Sequence, residues 1–197
     1  IEKNIKIRDL ELLKKAYEKN KGIIMLFAHA GPFELTVMLP KLMPSIFNKS
    51  NIAVMYRPLN NRYMNQWYLI KRNRFGAQLL SREDGFYKII RYIKNGGFIN
   101  IAFDIRMHQG EKIELFDQLA STSKIPYALH KSSQAPVFAM RFIRAGDVSW
   151  EIQFKEITSP EHGVCSEIDL LKAANEHLEQ MIFENPYDYF FFQDRYK

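Results

Sequence analysis

The run IIMLFA, residues 23–28, carries no polar side chain. A half-exposed strand alternates apolar with polar residues, and a membrane span needs about twenty apolar residues in a row. A run this short and this uniform fits a strand covered on both faces, as in a parallel sheet flanked by helices. Residues 51–56 (NIAVMY), 77–81 (AQLLS) and 97–104 (GFINIAFD) read as further strands of the same kind, the last ending on Asp104.

Helical spacing fills the gaps between these runs. It predicts helices over 7–19, 61–75 and 84–96, the last closing on Gly96. The stretch 32–47 begins as a helix that Pro40 and Pro44 should break. Residues 105–121 show no clear period and read as a polar loop, followed by a helix near 122–133. Strands at 135–142 and 148–157 are expected to pair as neighbours. A long amphipathic helix over 166–185 starts at a Ser or Glu cap, and the aromatic tail YDYFFFQDRYK is expected to add a last strand. Alternating strands and helices imply an α/β fold with a mostly parallel central sheet flanked by helices. With no repeat, low-complexity tract or linker, residues 1–197 read as a single domain.

Composition narrows the function. At 47% hydrophobic and 14% aromatic residues, the chain can fill a real core. Its lone cysteine, Cys165, excludes an internal disulfide framework. A net charge of +6 favours an acidic partner: anionic lipid, an acidic carrier protein or nucleic acid. Nucleic acid ranks below the others, because no recognition-helix, zinc or ribonucleoprotein pattern accompanies the charge. The chain begins at Ile1 rather than Met, and we expect a longer protein whose membrane-anchoring part precedes it.

Chemistry concentrates at FAHAGPFEL, residues 27–35. His29 follows a strand directly, where α/β sheets place their ligands. Gly31 and Pro32 suit a sharp turn into a helix, and Glu34 falls in that helix's first turn. Folded back, Glu34 would reach the His29 ring, fix its tautomer and make the other nitrogen a better base. The same residues also fit a plain strand-end histidine and a helix-start carboxylate.

Company for that pair comes from VMYRPLNN, NRFGAQLLSREDGFYKIIRYIKNGG, INIAFD and the terminal FFFQDRYK. Together with FAHAGPFEL, these blocks resemble the lauroyl/myristoyl acyltransferases of lipid A biosynthesis, within the wider glycerolipid and lysophospholipid acyltransferases. The resemblance runs over roughly residues 20–197 and implies a glycerolipid-acyltransferase-like fold. It implies transfer of a fatty acyl chain from acyl carrier protein, or acyl-CoA, to a hydroxyl of a lipid A precursor. It also implies a site at the cytoplasmic face of a bacterial inner membrane, with the protein peripheral or anchored there. His29 and Glu34, spaced as His-x4-Glu, take the roles of general base and orienting acid. Arg57 answers to the arginine of the YRP block, and Asp104 to the acid at the end of the later strand. No cofactor, metal or covalent acyl-enzyme is implied. Two departures bear on the acceptor: Arg106 stands where a second acid is usual, and QDRYK replaces a His-Arg-Arg run, leaving Arg195.

Arg57, held extended before Pro58, suits a phosphate or a developing oxyanion, or else pairs with a nearby acid as a surface arginine. Asp104 is expected to orient Arg57 or hold the acceptor, with a plain structural acid as the alternative. Arg62, Arg74 and Arg82, with Lys71 and Arg72, suit phosphorylated headgroups or an acidic carrier, or else form a solvated helix face. Arg195 joins the substrate-binding set. His108 and Glu111 lack metal-ligand partners, and His130, His162 and His177 read as ordinary helix or loop residues. Residues 35–47 (LTVMLPKLMPSIF) pack on the sheet by default, with an acyl-chain groove or membrane-facing lip as the alternative. Three rival functions stay open: the same chemistry on another acceptor such as a lysophospholipid, a non-catalytic binder of anionic lipid, and a thioesterase using water.

Overall fold

The uniformly apolar run sits at the heart of a seven-stranded sheet in a computed structural model that describes residues 2–19, 22–47, 51–158, 166–192 and 194–196. The strands are β1 (Ile5–Ile7), β2 (Ile23–Phe27), β3 (Ile52–Tyr56), β4 (Gln78–Ser81) and β5 (Phe98–Ala102). A separate hairpin, β6 (Glu111–Leu115) and β7 (Gln118–Thr122), precedes β8 (Val137–Arg144) and β9 (Trp150–Thr158). The order across the large sheet is β1-β9-β8-β2-β5-β3-β4. Strands β8, β2, β5, β3 and β4 run parallel, and β9 is antiparallel to β8.

Every residue of β2 is buried, because both faces of the sheet are covered. Ile24 and Leu26 face one core with α4 (Phe86–Lys94), α5 (Ile125–Ser133), α6 (Glu167–Glu184) and the hairpin. Ile23, Met25 and Phe27 face the other, with α1 (Leu10–Glu18) and residues 33–47, which include α2 (Leu39–Leu42). The remaining helix, α3 (Arg62–Asn73), follows β3 and starts at Asn61, whose side chain accepts the N–H groups of Tyr63 and Met64. Ser166 caps α6 in the same way. The mostly parallel α/β expectation therefore holds, as does the β8–β9 pair.

Four local expectations change. Residues 7–19 are not one helix: the chain pairs first as β1 along β9, and α1 begins only at Leu10. Over 33–42 the chain forms a 3₁₀ segment, Phe33–Met38, and then one helical turn. Residues 105–121 are not a plain loop. Ile113 and Leu115 are buried while Lys112 and Glu114 are exposed, and Phe116 and Asp117 both adopt positive φ in the tight turn of the β6–β7 hairpin. The aromatic tail adds no strand among its described residues. It makes a 3₁₀ turn, Pro186–Asp188, and a single bridge from Tyr189 to Ala30.

Candidate active site

Strands β2 and β5 run side by side in register, Phe27 opposite Ala102. Each chain continues two residues further, to His29 and to Asp104. The two side chains meet there, with Asp104 Oδ1 2.8 Å from His29 Nδ1. The second oxygen, Oδ2, accepts the backbone N–H of His29 at 2.8 Å. The Asp104 side chain is 0% exposed and that of His29 22%, so the carboxylate is sealed while the ring keeps an open edge. An anionic oxygen at Nδ1 makes that nitrogen the N–H donor and leaves the lone pair on Nε2. Phe33 sets its ring edge-on to the imidazole, with centroids 4.8 Å apart.

The carboxyl-terminal segment pins this loop. Phe190 donates its N–H to the His29 carbonyl at 2.9 Å, and Gly31 donates to the Asp188 carbonyl at 2.8 Å. Gly31 has φ +54°, and a Cβ there would meet the Trp150 ring at 2.8 Å, so this turn requires glycine. Tyr189 lies beside Asp104, and burial first, then that negative charge, push its phenol pKa up. Burial lowers the pKa of Arg195, against the opposing pull of Tyr189 and Asp104.

Glu34 does not reach His29. It pairs instead with Arg72 Nη2 on α3 and is half exposed. The carboxylate at the His29 ring is that of Asp104, because strand register fixes Asp104 there while the 3₁₀ segment carries Glu34 outward to Arg72. Asp104 likewise spends both oxygens on His29 rather than on Arg57.

Arg57 and Arg82 do come together. They line a cleft of about 360 Å³ with Tyr56, Ala102, Arg106 and His108, at the carboxyl ends of β3 and β5. The Nε of Arg106 is buried without a hydrogen-bond partner. Arg62 and Arg74 lie outside this cleft: Arg62 covers the Tyr63 ring at 5.1 Å, and Arg74 ends α3 exposed. Arg195 is also elsewhere. Only 2% exposed, it donates to Thr122 Oγ1 at 2.9 Å and Asn175 Oδ1 at 3.1 Å, holding the hairpin to α6. It lines a separate cavity of about 420 Å³ with Tyr189, Phe191 and Tyr196, and its Nη1 is buried without a hydrogen-bond partner.

The stretch 35–47 forms core rather than an open groove or lip, with Val37, Leu39, Met43 and Phe47 at most 2% exposed. Glu111 pairs with Lys124, and His130 Nδ1 contacts the Ala135 carbonyl at 2.8 Å. His177 is buried on α6, which drives its pKa down to about 4. Cys165 and His162 lie outside the described residues. The cleft positions of Arg106 and His108, and the place of Tyr189 behind Asp104, were not read from sequence. In sequence Arg106 marks only a departure from the family pattern, and a polar loop gives no sign of which way it folds.

Over residues 1–197 the chain matches the family model described as bacterial lipid A biosynthesis acyltransferase. Curated proteins give no match.

Proposed function

The chain belongs to the bacterial lipid A biosynthesis acyltransferase family, and from that premise we propose that His29 is the general base of acyl transfer from acyl carrier protein or acyl-CoA to a lipid A precursor. The observation that carries this reading is the 2.8 Å contact between Asp104 and His29 Nδ1. With Nδ1–H donated to a sealed carboxylate, Nε2 is free to accept a proton. The acceptor hydroxyl gives its proton to Nε2 as its oxygen attacks the thioester carbonyl. The C–S bond then breaks, and the leaving thiolate takes the proton back from the imidazolium. No covalent enzyme intermediate is required.

Asp104 orients the ring and offsets the charge of the imidazolium as it forms. Arg57, Arg82 and Arg106 concentrate positive charge in the cleft at the carboxyl ends of β3 and β5, which suits the phosphates of a phosphorylated acceptor. Glu34 acts at a distance, holding α3 through Arg72. No metal or cofactor enters this scheme. No described helix is long and apolar enough to cross a membrane. The acceptor is a membrane lipid, so this reading puts the enzyme at a bilayer surface, the cytoplasmic face of the inner membrane.

The test supplies acyl carrier protein charged with a fatty acid, or acyl-CoA, together with a lipid A precursor. His29→Ala should lower the rate by roughly 10²–10⁴-fold with the fold retained. Transfer at the parent rate by the folded variant would overturn the mechanism. Release of free fatty acid without any acceptor would point to hydrolysis instead.

A further inference from the structure

Helix α3 buries none of its residues. Its inward side carries Asn65, Tyr68, Leu69 and Arg72, all partly covered, at helical spacing. Arg72 ties that side to Glu34, and its guanidinium stacks over the Tyr68 ring at 3.9 Å. The opposite side follows the same spacing and faces water with Tyr63 70%, Met64 54%, Trp67 57% and Ile70 51% exposed. Lys71 and Arg74 share that side, and the Lys71 ammonium lies 5.6 Å from the centre of the Trp67 ring. The helix sequence RYMNQWYLIKRN contains no acidic residue.

An ordinary surface helix turns its apolar residues inward and its charges outward. Here large apolar groups point away from the protein while basic side chains rim them. A basic, acid-free face with Trp and Tyr at its centre is the chemistry of a helix lying in the interface of an anionic bilayer. In that position the rings sit at headgroup level, and lysine and arginine reach out to lipid phosphates.

We propose that the outward face of α3 is the surface on which this protein docks to an anionic phospholipid bilayer. The proposal rests on the acyltransferase reading only for its purpose. Helix α3 starts shortly after Arg57 and is clamped to Glu34, which ties the docking helix to the segment that follows His29.

The experiment uses vesicles of phosphatidylglycerol and phosphatidylethanolamine, with pure phosphatidylcholine as the neutral control. Trp150→Phe leaves Trp67 as the lone tryptophan. Its emission should shift to the blue on anionic vesicles and be quenched by brominated acyl chains, and added salt should weaken the binding. Trp67→Ser with Ile70→Ser should weaken vesicle binding roughly tenfold or more, and Lys71→Glu by roughly fivefold or more. Circular dichroism should show parent helix content, because all three side chains are exposed. His29→Ala should bind vesicles like the parent, so failed docking and failed catalysis are told apart. Binding with Trp67 emission unmoved, or no binding at all, overturns the proposal. So would α3 variants that lose binding to acyl carrier protein but keep vesicle binding.

Discussion

Asp104 grips His29 twice, through the ring nitrogen Nδ1 and through the backbone N–H, each at 2.8 Å. The first contact sets the tautomer and the second sets where the residue sits. Replacing the acid by its amide should separate these effects. Asp104→Asn can keep the backbone contact yet removes the negative charge facing the imidazolium. Acyl transfer should fall by roughly 10²–10⁴-fold while the far-ultraviolet spectrum stays that of the parent. A rate within a few-fold of the parent would mean that the pair is structural.

Glu34 offers the contrasting case. Its carboxylate is half exposed and pairs with Arg72 rather than with the ring. Glu34→Gln should cost less than about 1 kcal/mol in unfolding free energy. Its rate loss should be far smaller than that of Asp104→Asn, measured side by side. An equal or larger loss would restore Glu34 as a direct partner of the base.

Arg195 should behave as part of the core. Arg195→Leu leaves Thr122 and Asn175 without a donor they now use and should destabilise the fold by about 2–5 kcal/mol. Thermal unfolding reads this directly. Below the lowered midpoint, KM for the acceptor should stay close to the parent value, which a substrate-contacting arginine would not allow.

His177 predicts an acid limb in stability. Burial, aided by Arg141 and Lys155, lowers its pKa to about 4 from the ordinary 6.5. The unfolded chain therefore binds a proton that the native chain resists. The contribution is whole above pH 6.5 and drains away as pH falls toward 4, by about 3 kcal/mol in all. Denaturant melts across that range should show a steeper decline in the parent than in His177→Leu.

Much of this architecture could be read from residue order. Uniform apolar runs gave β2, β3 and β5, and helical spacing gave α3, α4 and α6, because burial on two faces or one leaves a direct periodic mark. The β6–β7 hairpin left its mark too, in the alternation around Ile113, but its Phe116–Asp117 turn lacks the usual Asn-Gly signal. Strand β1 was lost because three residues at a sheet edge carry no period. His29 and Asp104 each stand out in sequence at a strand end, but nothing there marks them as partners. Partnership depends on β5 inserting beside β2, and strand order is a long-range property that neighbours in sequence do not encode. Glu34 drew attention by proximity in the chain. Proximity misled here, because the 3₁₀ segment after Pro32 turns the residue toward α3.

The lateral match of β2 with β5 also means that the His29–Asp104 pair exists only where the sheet has formed. Seventy-five positions separate His29 from Asp104 in sequence. On the proposed mechanism the base is therefore assembled by the fold and not by its local sequence.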